Sequence, residues 1–181
     1  EAIDGQLITR KIFLPVRNKN GYAVADADAD ILKIAVVNRY RDEKPAIAFI
    51  KNFNLNTGAI ASTVAHDSHN IIAVGVDDES MCRAVNLLIK NKGGLSVVDG
   101  NYEKVLPLPI AGLMSDQDCE TVGNLYSELD RKVKSMGCKL RAPYMTLSFM
   151  ALLVIPSLKL SDQGLFDGEK FEFTNLMIDD K

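Results

Sequence analysis

The chain is predicted to be an α+β domain with a mixed or mostly antiparallel sheet and two main helices. Three observations carry that expectation. Short Ile-, Val- and Ala-rich runs alternate with polar breaks, as strands do. Two longer stretches, about 78–91 and 116–136, repeat apolar residues at helical spacing. No internal repeat or low-complexity linker divides the sequence, so 1–181 is treated as one domain. With 181 residues, 47% of them hydrophobic, the chain can bury a core without disulfide or metal support.

The elements follow in order. Gln6 to Val16 reads as an extended strand ending in the polar turn Asn18-Lys19-Asn20-Gly21. Ile31 to Val37, Ala46 to Lys51 and Ala59 to Val64 are further strands, with breaks at Arg41 to Pro45 and Asn54 to Gly58. Ile71 to Val76 is the next. The acidic run Asp77-Asp78-Glu79 with Ser80 suits a helix N-terminus, and Met81, Ala84, Val85 and Leu88 supply its buried stripe. Gly93-Gly94 stops it.

Leu95 to Val98 and Lys104 to Leu108 flank an Asp99-Gly100 turn and read as a hairpin. In the second helix Val122, Leu125, Tyr126, Leu129, Val133 and Met136 form one apolar stripe, with Gly137 as its C′ residue. Leu147 to Ile155 is an apolar run closed by Pro156, and Phe171 to Leu176 alternates as a last strand. The tail from Asn175 to Lys181 is open between an edge strand and a contact to another domain.

Composition excludes several classes. The net charge is −3 and the basic residues are scattered, which argues against a nucleic-acid face. The longest apolar run is too short to span a bilayer. Cys82, Cys119 and Cys138 are dispersed and odd in number, so a reducing cytoplasm is expected and no disulfide framework. The missing Met before Glu1 hints at a piece of a longer protein. No phosphate-binding glycine loop, dinucleotide fingerprint or Gly-x-Ser-x-Gly elbow occurs. The His-x-Glu and Pro-Cys-x-x-Cys motifs of small zinc nucleobase deaminases are also missing.

The densest chemistry is His66-Asp67-Ser68-His69-Asn70, which holds both histidines of the chain between two apolar runs. Polar groups on a loop held by a sheet are a common form of functional site. Turn residues also cluster between strands, so hydrogen bonding to loop backbone is the bland alternative. His66 and His69 could chelate a metal with Asp67 if the backbone turns, but further ligands are not at hand. Met114, Ser115 and Asp116 are weaker cleft candidates, because an N-cap explains Ser115 and the acidic residues near it. Met145, Phe149 and Met150 read as core.

At these same residues the sequence resembles the C-terminal domain of bacterial adenine deaminase, of the amidohydrolase superfamily. The resemblance covers nearly the whole chain. It rests on Asp30 to Val37, Gly58 through Gly75, Leu106 through Asp116, Met145 to Phe149, Leu158 to Asp162 and Lys170 to Phe173, with Ala61 to Asn70 the most specific block. It implies hydrolysis of adenine to hypoxanthine and ammonia by an enzyme whose manganese or iron sits in a preceding (β/α)₈ barrel. Such a barrel takes about 250 residues, and no strand–helix repeat is present here.

No residue of this sequence matches the family's metal ligands by motif. The expectation is therefore a fragment, inactive alone and holding no metal itself. Its partners would be the barrel of the same enzyme and adenine, without nucleic acid or membrane and with self-association left open. His66 to Asn70 would face the barrel's active site. A purely structural or oligomerisation module, and a stand-alone small-ligand or metal-binding domain, are the alternatives.

Overall fold

Alanine alternates with larger aliphatic residues along the central strands, and that alternation sets the layers. Ala35, Ala59, Ala61 and Ala73 fall on one face with Met81, Ala84, Val85 and Leu88. Ile34, Val36, Ile60, Ile72, Val74 and Val97 fall on the other with Leu129, Val133, Met136, Tyr144 and Leu147. Successive side chains of a strand point to opposite faces, so one sheet separates two cores. Both faces being covered, the inner strands read as near-continuous apolar runs.

The computed structural model describes residues 1–178. Its strands begin with β1 (Arg17–Lys19), β2 (Tyr22–Val24), β3 (Leu32–Val37), β4 (Ala46–Ile50), β5 (Ala59–Ser62) and β6 (Ile71–Gly75). Helix α1 (Asp78–Lys90) leads to β7 (Gly94–Asp99) and β8 (Tyr102–Pro107). Then come α2 (Cys119–Ser135), α3 (Pro143–Phe149), β9 (Leu158–Ser161), β10 (Gly164–Asp167) and β11 (Glu172–Phe173). The main sheet has the order β4-β3-β6-β5-β7-β8. Every strand pairing among the described residues is antiparallel. The fold is the expected α+β class.

The expected hairpin of β7 and β8 closes on the two-residue turn Gly100-Asn101, with Asp99 opposite Tyr102. Helix α1 starts where the acidic run predicts, with Asp77 Oδ1 accepting from Ser80 N at 2.7 Å. Gly137 follows the last turn of α2 with φ +108°, as a C′ glycine does.

Four expectations are corrected. Gln6 to Val16 is not a strand: apart from the Ala2–Thr9 bridge this segment has no strand pairing, and Thr9 N donates to Pro156 O instead. Helix α2 begins at Cys119 rather than 116, because Asp118 and not Ser115 caps it, accepting from Thr121 N at 2.9 Å. Phe171 to Leu176 shortens to β11, which pairs only with β10. A third, short helix occupies Pro143–Phe149, opened by a proline whose missing N–H costs nothing at that position.

In the tail, Asn175 to Ile178 line a cavity rather than form an edge strand. Asp179 to Lys181 lie outside the described residues. No helix among the described residues is long and apolar enough to cross a membrane.

Candidate functional site

One end of the six-stranded sheet collects the chemistry. Val37 pairs with Ile71, Ser62 with both Ile72 and Leu95, and Gly94 with Pro107. The antiparallel order therefore brings the segments after β3, β5 and β8 and the one before β7 to the same edge. The His66–Asn70 loop and the Ile110–Met114 turn, far apart in sequence, meet there.

Backbone bonds shape the histidine loop. His69 N donates to Ala65 O at 2.7 Å, and His66 N donates to Ser148 O at 3.0 Å. His69 takes φ +52°, a left-handed conformation that closes the turn. The imidazoles of His66 and His69 thereby come to 5.4 Å between centroids, edge to face. The ring of His66 stacks on Phe149 at 4.8 Å. That assigns Phe149 to the site rather than to the core alone. Met150 is buried as expected, whereas Met145 is 54% exposed and does not pack in the core.

Desolvation lowers the His69 pKa, helped by the nearby His66 and Arg39 and opposed by Asp67. Its Nδ1 accepts from Ala65 N at 3.4 Å, which places the proton of the neutral ring on Nε2. His69 is therefore a neutral donor through Nε2–H near pH 7. Asp67 and Ser68 are exposed beside it.

Asn70 has the opposite character. It is buried, its Oδ1 accepts from Arg39 N at 3.1 Å, and its Nδ2 donates to Ser68 Oγ at 3.4 Å. These two bonds make it a structural tie of the loop.

Arg39, Tyr40 and Thr63 were missed in the sequence. Arg39 Nη2 donates to Ala111 O at 2.7 Å, and the guanidinium carbon lies 5.3 Å from the Tyr40 ring centre. Thr63 Oγ1 donates to Gly112 O at 2.5 Å and accepts from Gly94 N at 2.8 Å. The available signal was Asn38-Arg39-Tyr40, a polar and aromatic cluster directly after an apolar strand, as the histidine block is. It lies just before the Arg41 to Pro45 break and carries no motif of its own.

The weaker candidates divide. Met114 is 57% exposed on the Ile110–Met114 turn and shares the edge. Ser115 Oγ accepts from Gln117 N at 3.1 Å, and Asp116 is exposed. Neither hydrogen-bonds to the histidine loop among the described residues. No group of three His, Cys, Asp or Glu among the described residues could hold a metal, so His66, Asp67 and His69 do not form the ligand set that their spacing allowed. A cavity of about 720 Å³ lies elsewhere, between the N-terminal segment, β4, β9 and the tail.

Residues 6–172 match the family model described as adenine deaminase C-terminal domain. The chain belongs to that family. It is 52% identical over 180 residues to a protein of Salinibacter ruber named adenine deaminase, covering 98% of this chain and 33% of that protein. A protein of the same name from Methanosarcina mazei is 50% identical over 179 residues, covering 99% of this chain and 32% of its own length. One from a Sulfurovum species is 55% identical over 173 residues, covering 95% and 31%. The chain thus spans about a third of the length of the curated relatives it matches.

Proposed function

We propose that this chain is the accessory domain of an enzyme that hydrolyses adenine to hypoxanthine and ammonia, and that the sheet end bearing His66 and His69 covers the open end of the catalytic barrel. The observation that carries this reading is convergence: a neutral Nε2–H donor, an imidazole stacked on Phe149 and an exposed carboxylate share one edge with a second loop. A preorganised donor beside an aromatic shelf suits closing a pocket over a planar heterocycle or relaying a proton at its rim. The name shared by the relatives supplies the substrate, and their greater length leaves room for the barrel.

The residues of this chain do not fit the manganese or iron that such an enzyme uses, since no ligand set comes together among those described. The metal belongs to the barrel in this reading, and the fragment is inactive alone. A cytoplasmic setting and a role in purine salvage complete the proposal.

Ammonia release from adenine, with added manganese or ferrous iron, tests it on the chain alone, on a separately expressed barrel and on their mixture. Activity restored only in the mixture supports an accessory role; activity of the chain alone overturns it. In the full-length enzyme, His66→Ala and His69→Ala should each lower kcat by about a hundredfold or more, the lower end for loss of a proton-transfer group. A loss of turnover no larger than the loss of melting temperature explains would favour a purely structural module.

A further inference from the structure

One residue links the two loops at this edge, through its backbone to one and its side chain to the other. The backbone N–H of Arg39 donates to Asn70 Oδ1, at the end of the histidine loop, and its Nη2 donates to Ala111 O, in the Ile110–Met114 turn. Residue 112 is glycine where the guanidinium passes: a Cβ there would lie 1.9 Å from Arg39 Nη1, and φ is +75°. Tyr40 adds a third tie, its hydroxyl donating to Ser68 O at 3.2 Å. No carboxylate pairs with Arg39 among the described residues, and Nη1 is buried without an acceptor. Among the described residues the guanidinium therefore serves no ion pair.

We propose that Arg39 is a positioning residue that clamps the His66–Asn70 loop and the Ile110–Met114 turn into one unit, so that neither can move without the other. Side chains must be held to within a fraction of an ångström to act on a reacting group, and loops alone hold them poorly. The clamp converts two loops into a single surface whose histidines keep their orientation. Its catalytic consequence rests on the function proposed above; the clamp itself does not.

Two substitutions cut different bonds of the clamp in this same chain. Arg39→Gln removes the link to Ala111, and Asn70→Ala removes the acceptor on the histidine side. Hydrogen exchange is read at the amides of His69, Leu113 and Met114, which bond within the two segments. Each variant should lower protection in both segments together, by about tenfold, as the loss of one charged or buried hydrogen bond implies. Loosening confined to the segment each variant touches would overturn the clamp.

The His69 imidazole gives a second readout, in which Arg39→Lys separates lost charge from lost packing. His66 and His69 are the only two histidines, so only two sets of imidazole signals need assigning. The groups that bear on His69 are His66, Arg39 and Asp67. In Arg39→Gln, His69 should titrate at higher pH; Arg39→Lys, which keeps the charge, should restore the wild-type titration and part of the protection. An unchanged His69 titration in Arg39→Gln would overturn the placement of Arg39 against the loop. If the clamp is found in the chain but Arg39→Gln leaves the pH profile and kcat of the full-length enzyme unchanged, the clamp stands and the active-site reading of the loop falls.

Discussion

At the scale of single residues, the two histidines differ in what their surroundings ask of them. His66 leans on an aromatic ring, while His69 accepts a backbone hydrogen bond at Nδ1 and sits near an arginine. Its folded pKa lies below the ordinary 6.5, so the unfolded chain binds a proton first as pH falls. The stability it contributes is complete above about pH 6.5 and is lost as pH falls through its folded value. Urea midpoints measured from pH 7.5 down to 5 should therefore fall more steeply for the wild type than for His69→Gln. Parallel curves would show that His69 is no more protonation-averse folded than unfolded. The pair was legible in the sequence as a cluster. Its partners were not, because Arg39 approaches it only through the sheet order and Phe149 only through the docking of α3.

At the scale of elements, local sequence wrote the helices well and their starts less well. Both α1 and α2 follow the apolar spacing, but Ser115, Asp116 and Asp118 are all acceptable caps and only backbone geometry chooses among them. Asp118 Oδ1 accepts from Thr121 N and Oδ2 accepts from Thr121 Oγ1, so it does the capping. Asp118→Ala should lower the chemical-denaturation midpoint clearly, whereas Ser115→Ala should leave it nearly unchanged. The reverse order would return the cap to Ser115. The Gln6 to Val16 segment failed as a strand for a related reason. Alternation permits pairing, but a strand also needs a free neighbour, and here the backbone is bonded piecemeal to Glu1 and Pro156.

At the scale of the whole molecule, distant parts are fastened by groups whose role no local pattern reveals. Lys159 on β9 is buried, and its Nζ donates to Phe149 O at the end of α3 and to Leu7 O of the N-terminal segment. Burial lowers its amine from 10.5 to about 8, prevailing over the two carbonyls that favour the charged form. A lowered folded pKa means that the stability it contributes is full above pH 10.5 and lost as pH falls through about 8. Between pH 8 and 10 the wild type should gain stability relative to Lys159→Met, read as the difference in guanidinium midpoints; a constant difference would mean that the ammonium is not penalised by burial. The sequence by itself determined the α+β class, the inner strands, the two long helices, the family resemblance and the histidine block. These rest on periodicity, turn chemistry and residue identity, which are local. Tertiary structure alone decided that Arg39 and Tyr40 join that block, that Asn70 ties it to Arg39, and that the histidines and Asp67 gather no metal ligand set among the described residues. The physical reason is that antiparallel pairing fixes which loops share an edge, and that pairing is set by long-range packing of alanine and aliphatic faces, not by neighbours in sequence.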